Sequence, residues 1–209
     1  VHIESYNVDK VLEKKKQQLN RLHGRLLEEF VFWLRAEGRS VQTLYNYILR
    51  VYFFLKFLEE HGKDINTLTL MHLKCYIVEK ASTQNTQHGL QIALKAFLRF
   101  LIEVYAELGL KISKEKLEQI YKYFKVKNVK TELPEIPPNL PEIVEKLIDY
   151  AVQPYKTILA IAYETGARRG EILNLKIGDI EDCGDYIKIT IRTVSYTHLL
   201  AHETSLHLV

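Results

Sequence analysis

Four of the chain's five prolines, Pro134, Pro137, Pro138 and Pro141, fall in one stretch, KNVKTELPEIPPNLP, between Lys127 and Pro141. Each proline removes a backbone donor and biases the residue before it away from helical geometry, so an extended linker is expected there. It separates two parts of different character. With only 9 glycines and 5 prolines in 209 residues, a turn-rich all-β fold is disfavoured and long helices are favoured.

Upstream of the prolines, apolar residues recur at helical spacing. Leu19, Leu22, Leu26, Phe30 and Trp33/Leu34 form one stripe, stopped by Gly38. Leu44, Ile48, Val51, Leu55 and Leu58 form a second, with Ser40 as N-cap and Gly62 as stop. A short third stripe runs through Leu70, Leu73 and Ile77 behind Thr69, and a fourth from Leu90 through Leu94, Phe97 and Leu101 to Leu108, ended by Gly109. A fifth helix is expected from Ser113 through Leu117, Ile120 and Phe124. One stripe per helix implies a bundle burying those stripes against each other, with Phe30, Trp33, Phe54, Phe97 and Phe100 filling its core. Phe57 falls off its stripe and is expected to be partly exposed.

Downstream, residues 142–152 read as an amphipathic helix with Ile143, Leu147 and Ala151 inward. Residues 155–163 are apolar nearly all round, so that segment is expected to lie buried, with Gly166 as its stop. A short helix follows over residues 168–175. Then Ile187, Ile189 and Ile191 alternate with polar residues as in a half-buried strand, and a turn at Cys183-Gly184-Asp185 makes Ile180–Asp182 its candidate hairpin partner.

Several function classes drop out. No apolar run approaches the roughly 20 residues of a membrane span, and no signal-peptide pattern opens the chain. Two cysteines, Cys75 and Cys183, are too few for a disulfide scaffold, which makes a reducing cytoplasm the default location. The net charge of +3 hides an asymmetry: residues 1–130 hold 22 Lys and Arg against 14 Asp and Glu, residues 131–209 hold 7 against 12. The basic first part suits a polyanion such as nucleic acid.

The chemistry concentrates in Thr165-Gly166-Ala167-Arg168-Arg169-Gly170-Glu171-Ile172-Leu173-Asn174-Leu175. A helix ends at a glycine and the chain turns into a second helix, placing Arg168 and Arg169 on a first turn whose backbone N–H groups favour an anion. A guanidinium offers a planar fork of donors suited to phosphate oxygens. Glu171, three residues on, shares a face with Arg168 and can hold it in place. The alternative is an ordinary surface ion pair of little energetic weight.

The run TGARRGEILNLKIGDI resembles the signature that opens the catalytic domain of tyrosine recombinases, the phage-integrase family. Ser40-Val41-Gln42-Thr43 with Tyr47, and Thr86 followed by Leu94, Lys95, Phe97 and Leu101, resemble the second and fourth helices of that family's core-binding domain. The resemblance spans about residues 20–193. It implies a mainly α fold: a SAM-like helical-bundle DNA-binding domain joined by the Pro-rich linker to the first part of a mixed α/β catalytic domain. The implied organisation is an N-terminal arm over residues 1–18, the bundle over 19–126, the linker over 127–141, the start of the catalytic domain over 142–193, and a tail over 194–209.

The resemblance further implies DNA strand exchange through a phosphotyrosyl link, without metal or other cofactor. Arg168 would be the first catalytic arginine on the phosphate oxygens, and Glu171 the acidic residue that supports it. Double-stranded DNA is the implied partner. Arg39, Ser40, Thr43 and Arg50 beside the second helix, and Gln87, His88, Lys95 and Arg99 on the fourth, are its candidate contacts, mostly to phosphates. The family also requires a hairpin lysine, a His-x-x-Arg pair and a nucleophilic tyrosine; Lys188 stands too early, no His-x-x-Arg occurs, and Tyr196 follows the strand too soon.

The expectation is therefore a catalytically incomplete, monomeric N-terminal fragment of an enzyme that acts as a tetramer on DNA. A non-catalytic DNA-binding regulator built on the same fold is the alternative, and a helical module for a protein partner a third. The final stretch VSYTHLLAHETSLHLV, residues 194–209, lacks Lys and Arg and resembles translated adaptor read-through, so a non-native tail is expected. A natural apolar tail, or a metal site from His198, His202 and Glu203, are the readings it competes with.

Overall fold

The structure, a computed structural model, describes residues 7–128 and 135–191. It is mainly helical and divides into two compact units, Val1–Thr131 and Glu132–Val209.

In the first unit the helices are α1 (Val8–Lys16), α2 (Arg21–Ala36), α3 (Val41–Glu60), α4 (Leu70–Lys80), α5 (Gln84–Glu103), the single turn α6 (Tyr105–Leu108) and α7 (Lys114–Tyr123). Their starts are chemically marked. Asn7, Asn20, Ser40, Thr69, Thr83 and Ser113 each accept a hydrogen bond from the backbone N–H three residues on. Each such cap contributes about 1 kcal/mol by filling an otherwise orphaned donor. The helix expected to run unbroken to Leu108 instead ends at Glu103, and α6 finishes at Gly109, whose φ of 60° suits the residue without a Cβ. Residues 8–16, expected to be an arm, form α1, which buries Val8 and Leu12 in the same core.

That core is one cluster drawn from α1 to α7, with Leu26, Phe30, Leu34, Ile48, Phe54, Leu55, Leu58, Leu73, Leu94, Phe97, Leu101 and Leu117 fully enclosed. Four of the five expected core rings are buried and Trp33 is half-buried. Phe57 departs from expectation: it is buried, packed 4.3 Å from the His61 ring and 5.3 Å from Tyr76, because α4 crosses the flank of α3 that the apolar stripe left open.

One polar group sits at the centre of this packing. His23 on α2 is wholly buried; its Nδ1 donates to Glu59 Oε1 at 2.7 Å, and its Nε2 accepts from the Ile65 backbone N–H at 3.2 Å. The ring is thus neutral and ties α2, α3 and the 3-10 turn at Ile65–Thr67 together. Burial holds its pKa below the ordinary 6.5, against the opposing pull of Glu59. His72 shifts the same way, through burial and then the nearby Lys63, Lys116 and His61. The unfolded chain therefore binds protons more readily than the folded one just below 6.5, so stability is complete above that pH and declines as pH falls. Urea midpoints at pH 7.5 and 5.5 should show this decline, and His23→Gln, which can donate and accept but not titrate, should flatten it. An equally steep decline in that variant would rule His23 out as a cause.

In the second unit, α8 (Leu140–Tyr150) packs on α9 (Tyr155–Thr165), followed by α10 (Arg169–Leu173) and a 3-10 turn at Ile177–Asp179. Strands β1 (Ile180–Asp182) and β2 (Ile187–Ile189) then pair antiparallel, Ile180 opposite Ile189 and Asp182 opposite Ile187. Burial here departs from expectation. Ile143 and Leu147 are exposed, Leu147 at 53%, while Val144 and Ile148 take the half-buried positions. In α9 only Ile161 is buried, and Tyr155 and Tyr163 face outward. Among the described residues of this unit, only Ile161, Ile172 and Asp179 are buried, and Ile177 stands 93% exposed. Within this unit α8 and α9 cover each other only in part, so much of the apolar surface that the sequence marks for burial stays exposed. Val194–Val209, with Tyr196, His198, His202 and Glu203, lies outside the described residues, as do Thr193 and the linker's Pro134.

Candidate functional site

The catalytic candidates occupy the turn between α9 and α10. α9 stops at Gly166, whose φ of 62° reverses the chain, and Thr165 steadies the turn by donating its hydroxyl to Ile161 O at 2.6 Å and accepting the Ala167 N–H at 3.2 Å. Arg168 is the N-cap of α10 rather than a residue of its first turn, in extended geometry with φ −69° and ψ 151°. Glu171 Oε2 accepts the Arg168 backbone N–H at 2.8 Å, and its Oε1 lies 3.4 Å from the guanidinium Nη1. Here a glutamate at the third helical position reaches back to the cap. The two side chains differ sharply in environment: Glu171 is 13% exposed and Arg168 78%. A carboxylate fixed in the turn therefore anchors the arginine's backbone while its head stays in solvent. Arg169 is exposed beside it. Lys188 pairs with Glu181 across the hairpin at 3.0 Å.

The eight nucleic-acid candidates fall into groups. Ser40 and Thr43 lie at the exposed N-terminus of α3, where the two hydroxyls are 2.9 Å apart and Ser40 Oγ caps the helix. Arg39, just before them, is half-exposed, with its nearest carboxylate, Glu37, at 4.0 Å. Gln87, half-buried on the first turn of α5, makes no side-chain hydrogen bond among the described residues. Arg99 is engaged by Glu103 at 2.6 Å and Glu37 at 3.7 Å, and lies over the Trp33 ring.

The other three are committed to the bundle itself. Arg50 donates to Gly89 O at 3.0 Å, tying α3 to α5; a Cβ at Gly89 would meet that guanidinium at 2.6 Å. His88 Nδ1 donates to Lys127 O at 2.7 Å. Lys95 donates to Phe124 O at 2.9 Å and to Tyr121 O, with its ammonium over the Tyr121 ring. Burial, with Lys125 nearby, lowers the Lys95 pKa from its usual value. Gln91, which sequence reasoning passed over, belongs with them: it is buried and accepts the Lys127 N–H at 2.9 Å. The available signal was an amide in the otherwise apolar run Leu90–Leu94.

Trp33, Arg39, Tyr47, Lys95, Arg99 and Tyr121 line an open cleft of about 230 Å³ on this side of the bundle. Its cations are partly offset by Glu37 and Glu103. No helix among the described residues is long and apolar enough to cross a membrane.

Residues 27–104, most of α2 to α5, match the family described as phage integrase, N-terminal SAM-like domain. The chain is similar to the tyrosine recombinase XerA of Pyrococcus furiosus, 32% identical over 167 residues covering 76% of this chain and 50% of the relative. It is also similar to a tyrosine recombinase of Pseudothermotoga lettingae, 26% identical over 200 residues covering 86% of this chain and 64% of the relative. No solved structure matches. The bundle is thus of the integrase SAM-like class, and the matches together support the tyrosine recombinase/integrase family for this chain. The chain spans about half the length of the first of these relatives and under two thirds of the second.

Proposed function

We propose that the protein acts as a site-specific tyrosine recombinase: the helical bundle grips duplex DNA, and the second unit supplies the first elements of a phosphoryl-transfer site. The observation that carries this reading is the Arg168–Glu171 arrangement, a guanidinium anchored at its backbone by a mostly buried carboxylate and otherwise exposed. A core ion pair would be enclosed at both ends, and an incidental surface pair would leave both ends exposed. This one leaves open to solvent only the group that suits phosphate, touched by the carboxylate at one edge, Nη1, at 3.4 Å.

In this reading the unit beginning near residue 142 is the start of a mixed α/β catalytic domain behind a Pro-rich linker. Attack by a tyrosine hydroxyl places negative charge on the non-bridging phosphate oxygens, and Arg168 neutralises it while Glu171 keeps the arginine in register. The tyrosine and the remaining catalytic groups are supplied outside the residues assigned here. Duplex DNA in the cytoplasm is the substrate, with a tetramer on DNA as the working assembly. The regulator reading has no observation that favours it.

Affinity in the bundle is expected to come from phosphate contacts. If about five phosphates are neutralised, duplex binding should weaken on the order of several hundredfold between 50 and 200 mM salt. Arg39→Ala should lower the slope of log affinity against log salt by about 0.9, the share of one released counterion. Fluorescence-anisotropy titrations across that range measure both, and a flat salt dependence would exclude DNA as the bundle's ligand.

A further inference from the structure

His88, Gln91 and Lys95 stand at positions i, i+3 and i+7 of α5, so they share one stripe of that helix. Each directs one polar atom to the main chain of a single distant segment. Lys95 reaches the carbonyls of Tyr121 and Phe124 where α7 ends. Those carbonyls lack helical partners, and a cation is favoured at a helix C-terminus. Three residues later the backbone of Lys127 is held on both sides of its Cα, its N–H by Gln91 Oε1 at 2.9 Å and its C=O by His88 Nδ1 at 2.7 Å. Between these ties Phe124 is buried, and Val126 is half-buried and forms part of the cleft wall beside Tyr47 and Trp33. Extended backbone on a protein surface ordinarily turns to water for its hydrogen bonds. Here both main-chain polar groups of one residue are satisfied by side chains of a single helix.

We propose that these three side chains form a latch that holds Phe124–Lys127 against the bundle, so that the first unit stays docked as far as Lys127. His88 and Lys95 then serve to hold this segment and are withdrawn from DNA, while Arg39, Thr43 and Gln87 remain as contacts.

Trypsin cleavage after Lys125 and Lys127, followed by mass spectrometry on the whole chain, reads the latch directly. His88→Ala and Lys95→Met should each raise cleavage at these two bonds about tenfold, since each removes hydrogen-bonded ties and cleavage tracks the open population. The thermal midpoint of the bundle should move by only a few degrees. Cleavage unchanged in both variants, or rising only in step with global unfolding, overturns the proposal. Gln91→Ala supplies a second reading: amide exchange at Lys127 should accelerate while exchange at Leu55, deep in α3, does not. A saturating DNA duplex should leave wild-type cleavage at Lys127 no faster. Deprotection by duplex would mean that His88 and Lys95 transfer to phosphates, and overturns the assignment. That last arm rests on the DNA-binding reading above; the variant arms do not, so the two can fail separately.

Discussion

Replacing Phe30 with alanine is expected to destabilise the bundle by about 3–5 kcal/mol and to lower its thermal midpoint by about 10–20 °C. Phe30 is fully enclosed and joins three helices: its ring meets Phe97 edge-on at 5.2 Å and Phe100 at 5.5 Å on α5, Tyr47 at 6.4 Å on α3, and Trp33 at 6.0 Å on its own helix. Truncation removes the transfer free energy of the ring and leaves a cavity whose walls belong to separate helices that cannot close it independently. Phe32, two residues on, supplies the control. It is 72% exposed, so Phe32→Ala should change stability by no more than about 0.5 kcal/mol. Chemical denaturation followed by circular dichroism distinguishes the two, and a loss below about 1 kcal/mol for Phe30→Ala would contradict the packing described.

What the sequence discloses about this fold depends on where each residue's partner comes from. Ser40, Thr69 and Ser113 are readable as caps because the donor they satisfy lies three residues away. Thr83 is harder to see, since the turn it opens, Gln84–Gln87, carries no apolar residue to announce a stripe. α1 is masked in the same way: Val8, Val11 and Leu12 are its whole apolar face in a lysine-rich run, and only tertiary packing shows that they are used. In the second unit the periodicity identifies the faces of α8 and α9 that favour burial, but it cannot say what covers them, and Leu147 and Tyr155 stand exposed.

The candidate site divides along the same line. Glu171 and Arg168 were readable as a pair because they are neighbours along the chain. Arg50, His88 and Lys95 were equally readable as donors on polar helix faces. Their acceptors, however, lie 26 to 39 residues away on backbone carbonyls. A sequence shows that a donor exists on a helix face; it does not show which carbonyl the fold brings to it.

The larger functional effect is expected at Arg168. In the full-length native protein, Arg168→Ala should reduce formation of a covalent protein–DNA adduct by at least about 10²–10³-fold, the order lost when one fixed charge-stabilising donor is removed from a transition state. Duplex binding through the bundle should stay within about twofold. Arg168→Lys should recover only part of the loss, because an ammonium restores the charge without the planar two-pronged donor geometry. Glu171→Ala separates anchoring from chemistry. It removes the 2.8 Å tie to the Arg168 N–H, at a cost of about 1 kcal/mol to the local turn, together with the longer 3.4 Å contact to Nη1, and keeps the guanidinium and its charge. Its adduct yield should therefore fall between those of wild type and Arg168→Ala. Adduct trapping on a suicide substrate, run beside binding titrations, measures all three. If Arg168→Ala forms adduct at the wild-type rate, the exposed guanidinium is a surface charge and the phosphate is neutralised elsewhere. If instead Glu171→Ala is as inactive as Arg168→Ala while binding is unchanged, the geometry of the anchored turn limits the reaction as strongly as the charge it carries.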